Sequence, residues 1–124
     1  MKYLTLAAGV FCATAAIAET PELTVYTYDS FVSDWGPGPA VKAALAENCV
    51  CTLKFVGTGD GAALLARIQL EGSRTKADIV LGLDTNLIAA ATETGLFAEH
   101  DVGASFDLRV GWEGAVCVPY DCGY

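Results

Sequence analysis

Four aspartates in this chain stand just after segments that read as β-strands: Asp29, Asp60, Asp84 and Asp121. Around them lie Tyr28, Phe31, Trp35 and Tyr120, with Tyr26 close by. Carboxylates gathered with ring faces suit a flat organic cation, held by charge and by contact with aromatic surfaces. An anion site would instead leave helix N-termini open and add Ser, Thr or Arg. Part of the pattern has a plainer explanation, because Asp is a good helix cap. That explanation covers Asp84 well and Asp60 in part. It does not reach Asp29, which stands well before its helix in "LTVYTYDSFVSDWGPGPAVKAAL", or Asp121, which precedes no recognisable helix. Asp29, Asp60 and Asp121 are therefore the candidate ligand carboxylates.

Catalytic readings find less support. Asp29 and Asp34 could pair as acid and base, but nothing else in the chain fits glycoside chemistry. Ser30 has no histidine in prospect, since the single histidine, His100, sits in the polar turn Glu99-His100-Asp101 and reads as solvated. The run Gly57-Thr58-Gly59-Asp60-Gly61 lacks the lysine of a phosphate loop, and its glycine spacing misses the dinucleotide fingerprint. The expectation is a binding function and no enzyme.

The elements that must position these residues alternate strand and helix. Leu23 to Tyr28 is a first strand, and Gly38-Pro39 opens a helix with Val41, Ala44 and Leu45 at helical spacing, fading near Asn48. Thr52 to Val56 is a second strand, and the helix after it carries Leu64, Leu65 and Ile68 to Gly72. Ala77 to Leu83 is a near-continuous apolar run of the kind that parallel sheets bury on both faces. Asp84 caps a helix turning Leu87, Ile88 and Ala91 inward and stopping at Gly95; Ala115 to Pro119 reads as one more strand. Successive βα units imply an α/β fold with a mostly parallel, doubly wound sheet. Ligands of such sheets bind beyond the carboxyl ends of the strands, where these aspartates stand.

Compartment and charge narrow the partners. Residues 1–18 carry Lys2, an apolar run and a closing Ala16-Ile17-Ala18, the pattern of a cleaved secretory signal peptide, so the mature chain starts near Glu19. It is expected to be exported and not embedded in a membrane. The full sequence sets 7 basic residues against 15 acidic, a net charge of −8, and so lacks the basic face that nucleic acid requires. Cys49, Cys51, Cys117 and Cys122 are spaced Cys-x-Cys and Cys-x4-Cys, not as the usual zinc pairs. Thiols or local disulfides are the default; a Cys49–Cys51 bond would close a very tight loop, and Cys117 with Cys122 sits closer to a plausible bridging distance. A secreted metal or redox module built on these cysteines stays open as an alternative.

The blocks "LTVYTYDSFVSDWGPGPAVKAAL", "GTGDGAALLARIQLEG", "KADIVLGLDTNLIAAATETGLF" and "VPYDCGY" together resemble the thiamine-binding periplasmic proteins of bacterial ABC importers. The likeness runs from about Leu23 to Tyr124. It implies a type II periplasmic-binding-protein fold of two hinge-closing lobes, of which residues 19–124 would be the N-terminal one and the second is absent from this chain. It implies thiamine or its phosphate esters as ligand, delivery to a membrane permease, no catalysis and no cofactor. Position by position, Asp60 and Gly61 match pocket residues, and Tyr28, Asp29 and Ser30 match the block beside the cleft, with Trp35 on the same crossing. The sequence departs from the family at Gly59, where an acidic residue is frequent, and at Cys122, where an aromatic one is. Several ring-stacking and phosphate-contacting residues of the family would lie in the second lobe. A polyamine or another organic cation is the nearest alternative ligand.

Overall fold

Thr24-Val25-Tyr26-Thr27 is rich in β-branched and aromatic residues and forms the most buried stretch among the described residues, all four side chains lying in the interior. It belongs to strand β1 (Glu22–Thr27), the centre of a three-stranded sheet. The computed structural model describes residues 19–100, 114 and 116–120. β2 (Thr52–Gly57) runs parallel to β1 on one side, with Glu22 opposite Thr52 and Thr27 opposite Gly57. β3 (Ile79–Leu81) runs parallel on the other side, with Val25 opposite Ile79 and Thr27 opposite Leu81. The strand order β2-β1-β3 means that the chain reverses direction across the sheet at β1. The expected α/β class with a parallel sheet holds.

Side chains alternate across a strand, so Val56 and Phe55 face opposite sides of the sheet. Tyr26, Val56 and Val80 face α3 (Gly61–Glu71), packing on Leu64 and Ile68. Arg67 of α3 lies over the Tyr26 ring at 4.4 Å and bonds Glu71 at 2.8 Å. That guanidinium holds the Glu71 carboxyl below its ordinary value. On the other face, Phe55 meets Phe31 of α1 (Asp29–Val32), a four-residue helix that the sequence reading missed. α2 (Gly38–Asn48) follows with Pro39 in its first turn, as expected, but Val41 and Ala44 remain exposed and only Leu45 is half-covered. The two helical layers on opposite faces make the sheet doubly wound.

Other expectations are corrected. β3 is three residues long, not the span Ala77 to Leu83, and it is not buried on both faces: Ile79 is exposed and Val80 and Leu81 are half-buried. At its start the Asp78 carboxylate bonds the Thr24 amide at 2.8 Å, and at its end Gly82 turns to a φ of +107°, out of extended geometry. Residues 116–120 form no strand, so they supply no fourth strand end. Cys49 and Cys51 are joined in a disulfide with Cα atoms 5.2 Å apart, inside the usual bridging range, so the tight loop does close. A pairing of Cys117 with Cys122, and the signal peptide in residues 1–18, lie outside the described residues. No helix among the described residues is long and apolar enough to cross a membrane.

Candidate functional site

The carboxyl ends of β1, β2 and β3 release the chain into three loops, and direct contacts stitch these loops into one edge. At the end of β1, Tyr28 is the N-cap residue of α1 and Asp29 opens its first turn. The Asp29 amide donates to the Gly59 carbonyl at 2.8 Å, and Asp29 Oδ1 accepts from the Gly59 amide at 3.0 Å. Beside them, Thr58 donates from both its amide and its hydroxyl to the Thr27 carbonyl, at 2.9 and 3.0 Å. The loop after β2 is thus tied twice to the end of β1.

Asp60 caps α3. Its Oδ1 accepts from the Ala63 amide at 2.8 Å, and the residue remains exposed at the head of the helix. Asp84 caps α4 (Thr85–Glu93) in the same way, accepting from Asn86 and Leu87 at 2.8 and 3.2 Å, as the plainer explanation of these aspartates expects. Gly61 lies against the end of β3: a Cβ there would stand 2.9 Å from the Gly82 carbonyl. The Tyr28 ring covers Gly82 so closely that a Cβ on residue 82 would run into it. Tyr28, Asp29, Gly59, Asp60, Gly61 and Gly82 therefore form one continuous rim.

Gly82 combines two requirements, a left-handed φ and a ring in the place of a side chain. Gly82→Ala is expected to destabilise the fold by about 1–3 kcal/mol, the scale of backbone strain at such a position, and to push Tyr28 off the rim. Urea unfolding measures the first effect and the chemical shifts of the Tyr28 ring the second. A stability change below about 0.5 kcal/mol, typical of a plain surface position, would count against both.

The aromatic residues divide. Tyr26 is buried against α3 and Phe31 is fully buried, so neither presents a ring to the rim; both belong to the core. Tyr28 is half-buried, with its ring 5.7 Å from Phe31. Tyr120 comes from far along the sequence to meet Phe31 edge-on at 5.9 Å and remains 55% exposed. Trp35 stands 80% exposed in the connection between α1 and α2, an open apolar surface on the same crossing. Ser30 is exposed, and its carbonyl accepts from the Ser33 hydroxyl. Asp121 lies outside the described residues, next to Tyr120 in sequence. His100 is half-buried and not simply solvated, its Nε2 donating to the Cys117 carbonyl at 3.0 Å.

The sequence reading passed over Gly82. A glycine inside an apolar strand pattern, as in "VLGLDT", is the available signal, since it marks close backbone approach. A depression of about 330 Å³ lies elsewhere, between α1, α2 and β2, lined by Val32, Gly38, Pro39, Lys42 and Phe55. It offers a cation and no carboxylate, so its chemistry does not suit an organic cation. Among the described residues no group of three potential metal ligands comes together.

No family model matches the chain. It is similar to the thiamine-binding periplasmic protein of Salmonella typhimurium, 54% identical over 125 residues, which take in 99% of this chain and 37% of that protein. The protein of the same name from Escherichia coli is 53% identical over 112 residues, 90% of this chain and 34% of its own length. That of Haemophilus influenzae is 41% identical over 123 residues, covering 97% and 37%. Among solved structures, a periplasmic thiamin binding protein superposes with a TM-score of 0.73 at 48% identity, covering 86% of this chain and 33% of that one. The chain spans about a third of the length of these relatives.

Proposed function

We propose that this chain is one lobe of a periplasmic thiamine-binding protein, and that the rim at the carboxyl ends of β1, β2 and β3 is one wall of its ligand cleft. The observation that carries the reading is the similarity to proteins named for thiamine binding, along 90% to 99% of the chain in the relatives described above. The geometry supports it, because the reversal of strand order at β1 is where open α/β sheets bind ligands. The chemistry supports it too: thiamine carries a cationic aromatic ring, and the wall offers Asp60 with the Tyr28 and Trp35 rings. Gly61 lets the ligand approach the backbone, Ser30 and Asp29 stand on the same edge, and Asp121 adds a carboxylate from the segment after Tyr120. The role is non-catalytic capture of thiamine or its phosphate esters and delivery to the membrane permease of an ABC importer, following export through a signal peptide cleaved after residue 18.

Asp60→Asn in the full-length protein tests the reading. Thiamine affinity is expected to fall by about 1–3 kcal/mol, the scale of losing a charge-assisted contact. Folding stability should change by no more than about 0.5 kcal/mol, because Asn caps a helix nearly as well as Asp. Calorimetric titration measures the first and urea unfolding the second. Unchanged affinity would leave Asp60 as the cap of α3 and nothing more. A parallel titration with spermidine separates thiamine recognition from general attraction of organic cations.

A further inference from the structure

Asp29 is exposed at the rim, where a ligand carboxylate belongs, yet its hydrogen bonds go to the backbone of the neighbouring loop. Its amide and its Oδ1 grip the carbonyl and the amide of a single residue, Gly59, at 2.8 and 3.0 Å. Gly59 has a φ of +94° and immediately precedes Asp60, so its orientation sets where the head of α3 begins. Gly57 makes room for this arrangement. A Cβ on residue 57 would lie 2.6 Å from Asp29 Oδ1, in space the carboxylate already occupies. A carboxylate bonded to a backbone amide is one of the stronger hydrogen bonds available, and here it spans 30 residues of sequence.

We infer that Asp29 is a positioning residue: by holding Gly59 it fixes the loop between β2 and α3, so that Asp60 and Gly61 stand beside Tyr28. This rests on the reading of Asp60 and Gly61 as ligand-facing. The carboxylate acts through the loop, and the charge that meets the ligand is that of Asp60.

The test compares Asp29→Asn, Asp29→Ala and Gly57→Ala in the full-length protein. It has two readouts, amide hydrogen exchange at Gly59 without ligand and thiamine affinity by calorimetry. Asn keeps an acceptor at Oδ1 and lacks the charge. Asp29→Ala is expected to speed Gly59 exchange and weaken thiamine, each by about tenfold, the equivalent of 1.4 kcal/mol. Asp29→Asn should rescue most of both losses. Gly57→Ala, which displaces the carboxylate, should reproduce the Asp29→Ala effects, and the double variant should be little worse than either single one, as for residues acting through one contact.

Two results overturn the inference. One is Gly59 exchange unchanged in Asp29→Ala; the other is Asp29→Asn losing as much affinity as Asp29→Ala while Gly59 stays protected, which would make the charge itself the ligand contact. If Asp29→Ala does not fold, Asp29→Asn decides by the same pair of readouts. A parent protein that binds no thiamine would sink the functional reading alone, because Gly59 exchange still reports on Asp29.

Discussion

Phe31→Ala is expected to cost the fold about 3–5 kcal/mol, the range for removing a fully buried phenylalanine from a packed core. Phe31 has no exposed surface. Its ring meets Tyr28, Phe55 and Tyr120 edge-on at centroid distances of 5.7, 5.4 and 5.9 Å. Such ring pairs add roughly 0.5–1.5 kcal/mol each beyond the area they bury. The loss is a large share of the 5–15 kcal/mol that stabilises a typical domain. The effect should also reach the rim, because the ring that Tyr28 meets edge-on disappears. Urea unfolding of the variant beside Phe31→Leu measures it. Leucine fills part of the space and should recover a good fraction; a cost below about 1 kcal/mol for alanine would show that the site relaxes freely and that Phe31 is not the keystone of this face.

Residues 19–124 on their own are expected to bind thiamine no more tightly than roughly the millimolar range, since each 1.4 kcal/mol forgone is about tenfold in affinity. A clamshell receptor buries its ligand between two lobes, so one wall can supply only part of the contact. The relatives extend to about three times the length that this chain matches. What the chain itself offers is Asp60, Gly61, Tyr28 and an exposed Trp35, with nothing across from them among the described residues. Isothermal calorimetry on the purified piece gives the answer. Saturable binding at micromolar thiamine would mean that this lobe holds the site unaided, and the clamshell picture would have to be abandoned.

The alternation of strands and helices was legible because local chemistry agrees with the tertiary result. Pro39 starts α2, Asp60 and Asp84 start α3 and α4, and the apolar spacing of Leu64, Leu65 and Ile68 marks the buried side of α3. α1 was not legible, since four residues cannot show a helical period and Tyr28 gives no side-chain cap. The segment Ala115 to Pro119 has strand-like composition, yet 116–120 pass Phe31 as irregular chain, anchored by Tyr120 and by His100 on Cys117. The position of each aspartate along the chain could be read, but its partners could not. Asp60 and Asp84 bond within their own helices, a local event, whereas Asp29 bonds a residue 30 positions away. The rings misled for a related reason. Tyr26 and Phe31 look like contacts offered to a ligand until both faces of the sheet are seen to be covered.

The central place of β1 has a consequence for how the chain comes to be folded. Synthesis and export deliver a polypeptide from its N-terminus, and domains assemble as their pieces appear. Here the innermost of the described strands is the first of them to arrive. Glu22–Thr27 must wait for residues 52–57 before one flank can pair and for residues 79–81 before the other can. Through that interval a segment destined for the interior, Thr-Val-Tyr-Thr, travels with its backbone donors and acceptors open on both sides, the condition under which strands join the wrong chain. The proximity of Cys49 to Cys51 keeps their bridge local, so oxidation can close it without trapping β1 in a mispaired loop. Until residues 79–81 are available, β1 can pair on one flank at most.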